Sequence, residues 1–246
     1  MLLSILQELF PNDTGPIYKE TIAGRFPVEP FNTYSNLIFL FIVVYFGIKI
    51  YRKPKKQWFL MIALPFIFIG YVGGTLYHGL RNEEAWLLLD WVPIRGLSFA
   101  ALLYFIFKWQ DTWGKRLIFV LSIGLAFIGL RYLPLPKQLE HSIGYLISAL
   151  SILIPILGYL IKTKWRYVKS ALTAFVIFGF AVLFRVLDNR LDFEFFWMGT
   201  HWLWHIFGGT AVFFILQYIK SETIPPMIAP CIAKPPSQIA NVFQNG

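Results

Sequence analysis

The stretch Gly199-Thr-His-Trp-Leu-Trp-His-Ile-Phe-Gly-Gly209 places two histidines, His201 and His205, four residues apart in an otherwise apolar and aromatic segment. In a helix, residues at i and i+4 lie on one face, one turn apart, so both imidazoles can reach a single metal ion. An ionisable side chain inside a membrane segment is costly and indicates a functional site. The stretch therefore predicts a membrane helix that carries a pair of metal ligands.

The composition is that of a membrane protein. Hydrophobic residues make up 57% of the 246 residues and charged residues only 14%, a mixture that does not suit a soluble domain. The net charge of +9 comes from basic residues in short loops, which indicates membrane topology and anionic headgroups rather than nucleic acid. The single cysteine, Cys231, excludes an internal disulfide and a cysteine-based metal site.

Seven stretches are apolar enough to cross a bilayer, which requires roughly 20 residues each. They cover about residues 34–51, 58–78, 86–107, 116–133, 141–161, 169–187 and 197–219. Lysine and arginine are concentrated in the loops after the first, third and fifth stretches, and the positive-inside rule places these loops in the cytoplasm. The expected fold is all-α, a bundle of seven transmembrane helices with the N-terminus outside and the C-terminus cytoplasmic.

The chain divides into an extramembrane N-terminal segment (1–30), the seven-helix domain (31–220) and a C-terminal tail (221–246). The tail is rich in proline, serine and asparagine, which predicts a flexible segment. The N-terminus lacks the basic region and cleavage site of a signal peptide. The chain is expected to be a multi-pass protein of a bacterial inner membrane. The oligomeric state of the protein is left open.

With this topology, several ionisable side chains fall at one depth near the outer face. His78 ends the second predicted helix, Asp90 lies about one turn into the third, and His201 and His205 lie in the first turns of the seventh. Glu29 and Asn32, which precede or open the first helix, lie on the same side. His141, at the start of the fifth helix, shares this depth without a second argument for a common site.

These residue types suit metal-assisted hydrolysis. Three neutral imidazoles with one open position form a catalytic zinc arrangement, and zinc lowers the pKa of bound water. Asp90 could take a proton from that water and pass it to a leaving group. Thr75, one turn before His78, could steady a developing oxyanion. A site buried among helices is reached from the bilayer, so the expected substrate is a lipid.

Structural interpretations of the same residues remain open. His78 could be a hydrogen-bond partner between helices. Asp90 could pair with Arg95, and Arg185 with Asp188 could form an i,i+3 ion pair.

Four patches of the chain carry a family resemblance. They are Glu29-Pro-Phe-Asn-Thr-Tyr-Ser-Asn36, Gly73-Gly-Thr-Leu-Tyr-His78 with Leu89-Asp-Trp-Val-Pro-Ile94, Phe178-Gly-Phe-Ala-Val-Leu-Phe-Arg-Val-Leu-Asp-Asn189 and Gly199-Thr-His-Trp-Leu-Trp-His205. In this order they resemble the motifs of the alkaline ceramidase family, within the wider group of seven-helix membrane hydrolases that includes the adiponectin receptors. The resemblance covers roughly residues 29 to 215.

The resemblance implies a Zn²⁺ ion on His78, His201 and His205, with Asp90 as the catalytic acid and base. It also implies hydrolysis of the amide bond of ceramide-type sphingolipids, which yields a sphingoid base and a fatty acid. The expected partner is therefore a membrane lipid substrate such as ceramide or another N-acyl lipid.

The chain departs from the family pattern in two places. Where the family has a serine one turn before the first histidine, this chain has Gly74, and the nearest hydroxyl is that of Thr75. The acidic segment that binds Ca²⁺ in animal members is missing, and only Asp13, Glu20 and Glu29 could contribute to such a site. We therefore expect one of two roles for Glu29, Asn32 and Glu20, which is to support the zinc ligands or to bind calcium. A third interpretation is that Glu29 and Asn32 simply form hydrogen bonds with helix ends.

Two other functions compete with the hydrolase. The first is a non-catalytic lipid receptor or scaffold in which zinc is structural. The second is a redox protein that binds haem through histidine pairs.

Overall fold

A computed structural model of the chain describes residues 10–51, 57–130, 132, 137–188 and 196–223, with only the backbone of residues 130 and 137–149. Within these ranges the regular secondary structure is helical and no strand occurs. The helices are α1 (Pro30–Ser35), α2 (Leu37–Ile50), α3 (Trp58–Leu80), α4 (Glu84–Trp109), α5 (Trp113–Leu130), α6 (Lys137–Lys162), α7 (Val168–Leu187) and α8 (His201–Glu222).

The all-α prediction is confirmed, and five segments are long and apolar enough to cross a membrane. They are Pro30–Ile50, Trp58–Leu80, Glu84–Trp109, Val168–Leu187 and His201–Glu222. The other two predicted stretches form α5 and α6, and the part Leu150–Lys162 of α6 is a shorter apolar helix. Seven membrane crossings and the orientation of the termini stay predictions, and the basic loop 52–56 and the tail beyond 223 lie outside the described residues.

The last helix begins at His201, four residues later than the sequence predicted. Gly199 has a φ of +76°, in the left-handed region that interrupts a helix and favours glycine. A carboxylate oxygen of Asp188 accepts hydrogen bonds from the backbone N–H groups of Thr200 at 2.6 Å and His201 at 2.8 Å. Because these N–H groups have no partner inside the helix, the carboxylate caps α8 and sets His201 in its first turn.

The apolar core occupies one half of the bundle. It is built from buried side chains of α2, α3, α4, α6, α7 and α8, among them Phe46, Leu60, Phe105, Ile156, Ala171 and Leu216. On α3 these core residues end at Ile67, eleven positions before His78, which is about 16 Å at 1.5 Å per residue. The histidines therefore lie at the opposite end of the bundle from the core.

Close backbone contact joins α3 to α4. A Cβ atom on Gly73 would lie 2.3 Å from the carbonyl carbon of Leu89 and 2.5 Å from the backbone nitrogen of Asp90. Any side chain at position 73 would therefore push the helices apart, so glycine is what allows this approach. The contact brings Asp90 against the last turns of α3, where His78 lies.

The segment that precedes α1 packs onto the C-terminal end of α3. The backbone N–H groups of Val28 and Glu29 donate to the carbonyl oxygens of Gly79 and His78 at 2.9 and 3.0 Å. Helix C-termini leave such carbonyl groups without partners, and here the incoming chain satisfies them. The segment from residue 10 to 29 thereby lies over the end of the bundle that carries the histidines.

Candidate metal centre

Three histidines from two helices converge at one end of the bundle. His78 belongs to the last turns of α3, whereas His201 and His205 occupy successive turns of α8. All three side chains are buried, and one ring nitrogen of each lies within 4.8 Å of the corresponding nitrogens of the other two. The three ligands predicted from the sequence are thus close enough to hold a metal ion.

The rings are arranged around a common point rather than stacked. Their centroids are 5.3 Å apart for His78 and His201, 5.1 Å for His78 and His205, and 4.6 Å for the pair on α8, with interplanar angles between 53° and 72°. Tilted rings at these distances can direct one nitrogen each towards a shared ion, which parallel stacking would prevent.

His78 has one ring nitrogen held by protein and one that has no partner. Its Nδ1 lies 2.5 Å from Oε2 of Glu29, and both side chains are fully buried. Its Nε2 is buried and has no hydrogen-bond partner in the described part of the chain. Since buried polar atoms are nearly always satisfied, the Nε2 atom of His78 is available to bind a cation.

Glu29 stays a carboxylate beside His78. Burial alone would raise its pKa, but the hydrogen bond and charge of His78, the charge of Arg81 and a hydrogen bond from Thr21 hold the pKa at about 2. A carboxylate that accepts the Nδ1–H fixes the ring orientation and leaves the Nε2 lone pair for a metal.

His205 is oriented in the same way by the chain around α1. Its Nδ1 lies 2.8 Å from Oγ of Ser35 and 3.2 Å from the carbonyl oxygen of Asn32. The Ser35 hydroxyl already donates to that carbonyl at 2.9 Å, so Nδ1–H is the donor in this group. The Nε2 of His205 is then the unprotonated atom, as metal ligation requires.

His201 differs from the other two histidines. Nη1 of Arg185 lies 2.6 Å from its Nδ1, and a guanidinium can only donate, so Nδ1 is the acceptor. In neutral His201 the proton is then on Nε2. A cation at this ring would have to replace either that proton or the Arg185 contact, a rearrangement that His78 and His205 do not need.

The donor set fits a zinc ion. Three buried imidazoles without cysteine match catalytic zinc sites, and the unpartnered Nε2 of His78 is the observation that favours occupancy. The rings of His201 and Tyr18 stack at a centroid distance of 4.0 Å and an angle of 18°. Tyr18 therefore covers one side of the site.

Asp90 lies next to the histidine-bearing part of α3. A Cβ on Gly74 would be 2.5 Å from Oδ1 of Asp90, so this carboxylate touches the turn that precedes His78. His78 and Arg185 are close enough to interact electrostatically with it. Its alternative partner, Arg95, lies over the ring of Trp91 at 4.3 Å.

The carboxylates considered for calcium accept hydrogen bonds from other groups of the protein. The two carboxylate oxygens of Glu20 accept the backbone N–H groups of Phe31 and Asn32 at 2.8 and 2.7 Å, which caps α1. Oε1 of Glu29 accepts from Arg81 at 2.7 Å, and its Oε2 accepts from Asn32 at 3.2 Å. Glu20 and Glu29 therefore have their carboxylate oxygens on protein donors, whereas Oδ1 of Asn32 is buried without a hydrogen-bond partner among the described residues.

The sequence reasoning missed Arg81, the cation of this region. Its Nε donates to Asp13 at 2.7 Å, and its Nη1 donates to Glu29 at 2.7 Å and to the carbonyl oxygen of Pro16 at 2.8 Å. The guanidinium is fully buried. Its position three residues after His78 was the one available signal, because i,i+3 neighbours share a helix face.

Other predicted or missed residues are placed as follows. The hydroxyl of Thr75 is buried without a hydrogen-bond partner among the described residues, and the side chain of His141 lies outside them. Tyr18, Ser35 and Arg185 contact the histidines, although the sequence analysis gave them no role in the site. Ser35 and Arg185 lie within two of the four patches that carry the resemblance.

Comparison with known proteins does not assign a family. Neither the scan against protein-family models nor the search of curated proteins finds a match. The similarity to alkaline ceramidases therefore remains a resemblance of motifs.

Proposed function

We propose that the protein is a zinc-dependent intramembrane hydrolase that cleaves the amide bond of a ceramide-type lipid. The observation that carries this proposal is the buried cluster of three histidines with the carboxylate of Asp90 beside it. The cluster lies at one end of helices that are apolar enough for a bilayer. A substrate that reaches such a site is one that partitions into the membrane.

His78, His201 and His205 would hold the zinc ion. Zinc with three imidazole ligands and one open position supplies Lewis acidity towards water and towards a carbonyl oxygen. Glu29 and Ser35 orient two of the three rings through their Nδ1 atoms, which keeps both ligands in place without substrate.

Asp90 moves the proton in the proposed reaction. Its carboxylate takes a proton from water as the water oxygen bonds to the carbonyl carbon of the lipid amide. Asp90 then gives this proton to the amide nitrogen as the carbon–nitrogen bond breaks. The products are a fatty acid and a sphingoid base, and Asp90 is a carboxylate again. Thr75 remains the sequence-based prediction for a hydroxyl that steadies the carbonyl oxygen.

The test is lipid turnover by the purified full-length protein in detergent. Zinc content is measured by mass spectrometry, and products are followed for ceramides, other N-acyl lipids and matched esters, with and without a chelator. We expect about one zinc ion per chain, cleavage of at least one N-acyl lipid, and loss of cleavage in Asp90→Asn with zinc retained. Full activity of Asp90→Asn would contradict the assigned role.

The same experiment separates the competing functions. A protein that binds zinc, loses its fold with His205→Ala and cleaves no amide or ester is a scaffold with a structural metal. A coloured protein with haem and no zinc is a redox protein. Either result would reject the hydrolase.

A further inference from the structure

Two polar side chains lie in the space that glycine leaves open at position 74. A Cβ on Gly74 would be 2.5 Å from Oδ1 of Asp90, 3.0 Å from Oδ1 of Asn36 and 3.2 Å from Nδ2 of Asn36. The Asp90 carboxylate and the Asn36 amide thus lie within 3.2 Å of one point, one turn before His78 on α3. Asn36 was not among the residues that the sequence singled out for chemistry.

The Asn36 amide is held in a defined orientation. Its Nδ2 donates to the carbonyl oxygen of Asn32 at 3.1 Å, which fixes the amide against a flip because an oxygen there would face another oxygen. The same carbonyl accepts from Ser35 at 2.9 Å and lies 3.2 Å from Nδ1 of His205. Asn36 is therefore connected to His205 through the carbonyl group of Asn32. It also contacts α3, the helix that carries His78.

One polar hydrogen of this buried amide remains for a ligand. Asn36 is 1% exposed, and its NH₂ group carries two hydrogens, of which the bond to Asn32 uses one. Among the described residues, no hydrogen bond joins the second hydrogen or the Asp90 carboxylate to a partner. A buried donor and a carboxylate without partners beside three histidines indicate a place where a polar ligand binds.

We propose that Asn36 is a catalytic residue of this site, whose amide N–H donates to the carbonyl oxygen of the scissile lipid amide while Asp90 handles the proton. The proposal rests on the hydrolase function proposed above. In this proposal the amide of Asn36, at the junction of α1 and α2, stabilises the carbonyl oxygen. The hydroxyl of Thr75 on α3 would otherwise have this role. A preorganised donor aimed at a developing oxyanion contributes a large part of catalysis in such sites.

The identity of residue 74 follows from this arrangement. Any side chain there would meet Asp90 Oδ1 at 2.5 Å, closer than real contacts allow. Glycine therefore permits both the carboxylate and the amide to approach the cluster.

The test compares two full-length variants with the wild type, Asn36→Asp and Asn36→Ala. The matched control is Asn82→Ala, which removes an exposed asparagine in the turn after α3. Zinc content and turnover of a ceramide are measured for each. A second readout, independent of turnover, is the affinity of the Co²⁺-loaded proteins for a long-chain hydroxamate, followed by the visible absorption of cobalt.

We expect kcat to fall by about 10²–10³-fold in Asn36→Asp and Asn36→Ala, as for loss of an oxyanion donor, with zinc content and KM nearly unchanged. Hydroxamate affinity should fall at least tenfold in both. Asn82→Ala should match the wild type.

Two results would overturn the role of Asn36. One is wild-type hydroxamate affinity in both single variants. The other is a parallel loss of zinc and activity in the isosteric Asn36→Asp, which would make the residue structural. If the wild type cleaves no lipid, the hydrolase proposal fails, whereas the hydroxamate comparison still decides whether Asn36 is a ligand-binding donor.

Discussion

At the scale of single residues, the site depends on which group contacts the Nδ1 atom of each histidine. Glu29 and Ser35 each contact the Nδ1 of one ligand, whereas a guanidinium contacts the Nδ1 of His201. A carboxylate that accepts from Nδ1 makes the opposite nitrogen a better metal ligand, and a cation does the reverse. The three histidines are therefore unequal, although the sequence presents them as equivalent.

Glu29→Gln tests this orientation. The substitution keeps the size of the side chain but removes the charge that stabilises His78, so zinc affinity should fall by about 10–100-fold. The dissociation constant is measured by competition with a chelating dye in detergent. Glu83→Gln, at an exposed position, should leave the affinity unchanged. Equal affinities for Glu29→Gln and the wild type would show that Glu29 does not support the ligand.

At the scale of elements, the buried side chain of Arg81 adds to the backbone hydrogen bonds that hold the segment from residue 10 to 29 on α3. Arg81 joins Asp13, Glu29 and two backbone carbonyl oxygens of this segment to the end of α3. Two carboxylates would be left buried and unpaired without it, which is far costlier than losing an exposed ion pair. Arg81 thereby couples the cover of the site to the helix that bears His78.

Arg81→Met should detach this cover. The loss of a buried ion pair partner destabilises a protein by about 3–5 kcal/mol, so the melting temperature should drop and residues 10–29 should exchange amide hydrogens faster. Lys162→Met is the control, because the pair of Lys162 with Asp111 is exposed and contributes little to stability. Unchanged hydrogen exchange across residues 10–29 in Arg81→Met would refute the coupling.

At the scale of the whole molecule, the histidines and Asp90 share one end of the bundle, while the apolar core fills the other half. This separation agrees with the common depth expected from the sequence. Which membrane face that end approaches is a prediction from the distribution of lysine and arginine. The chain offers a direct test because it has a single cysteine, Cys231, in the tail.

A membrane-impermeant maleimide should label Cys231 only after the cells are permeabilised, because the tail is predicted to be cytoplasmic. In the variant Cys231→Ser with Ser4→Cys, labelling should occur in intact cells. The variant Cys231→Ser alone should remain unlabelled and serves as the control. Labelling of Cys231 in intact cells would reverse the predicted orientation and place the site at the cytoplasmic face.

The sequence by itself determined the all-helical class, the positions of the main helices and the common end of the bundle at which His78, Asp90, His201 and His205 lie. These properties follow from local patterns, because hydropathy and helical periodicity depend on neighbouring residues alone. The start of α8 was misplaced because its cap, Asp188, reaches it from the end of another helix.

Only the tertiary structure decided which polar groups surround the histidines. Arg81 donates to the carboxylate of Glu29, for which the sequence left several roles open. Tyr18 stacks on His201, and the side chains of Asn36 and Asp90 lie together beside Gly74. Each of these contacts joins side chains that are distant along the chain. Their energies arise from burial and from the match of charge and hydrogen-bonding groups, which exist only after the helices have packed.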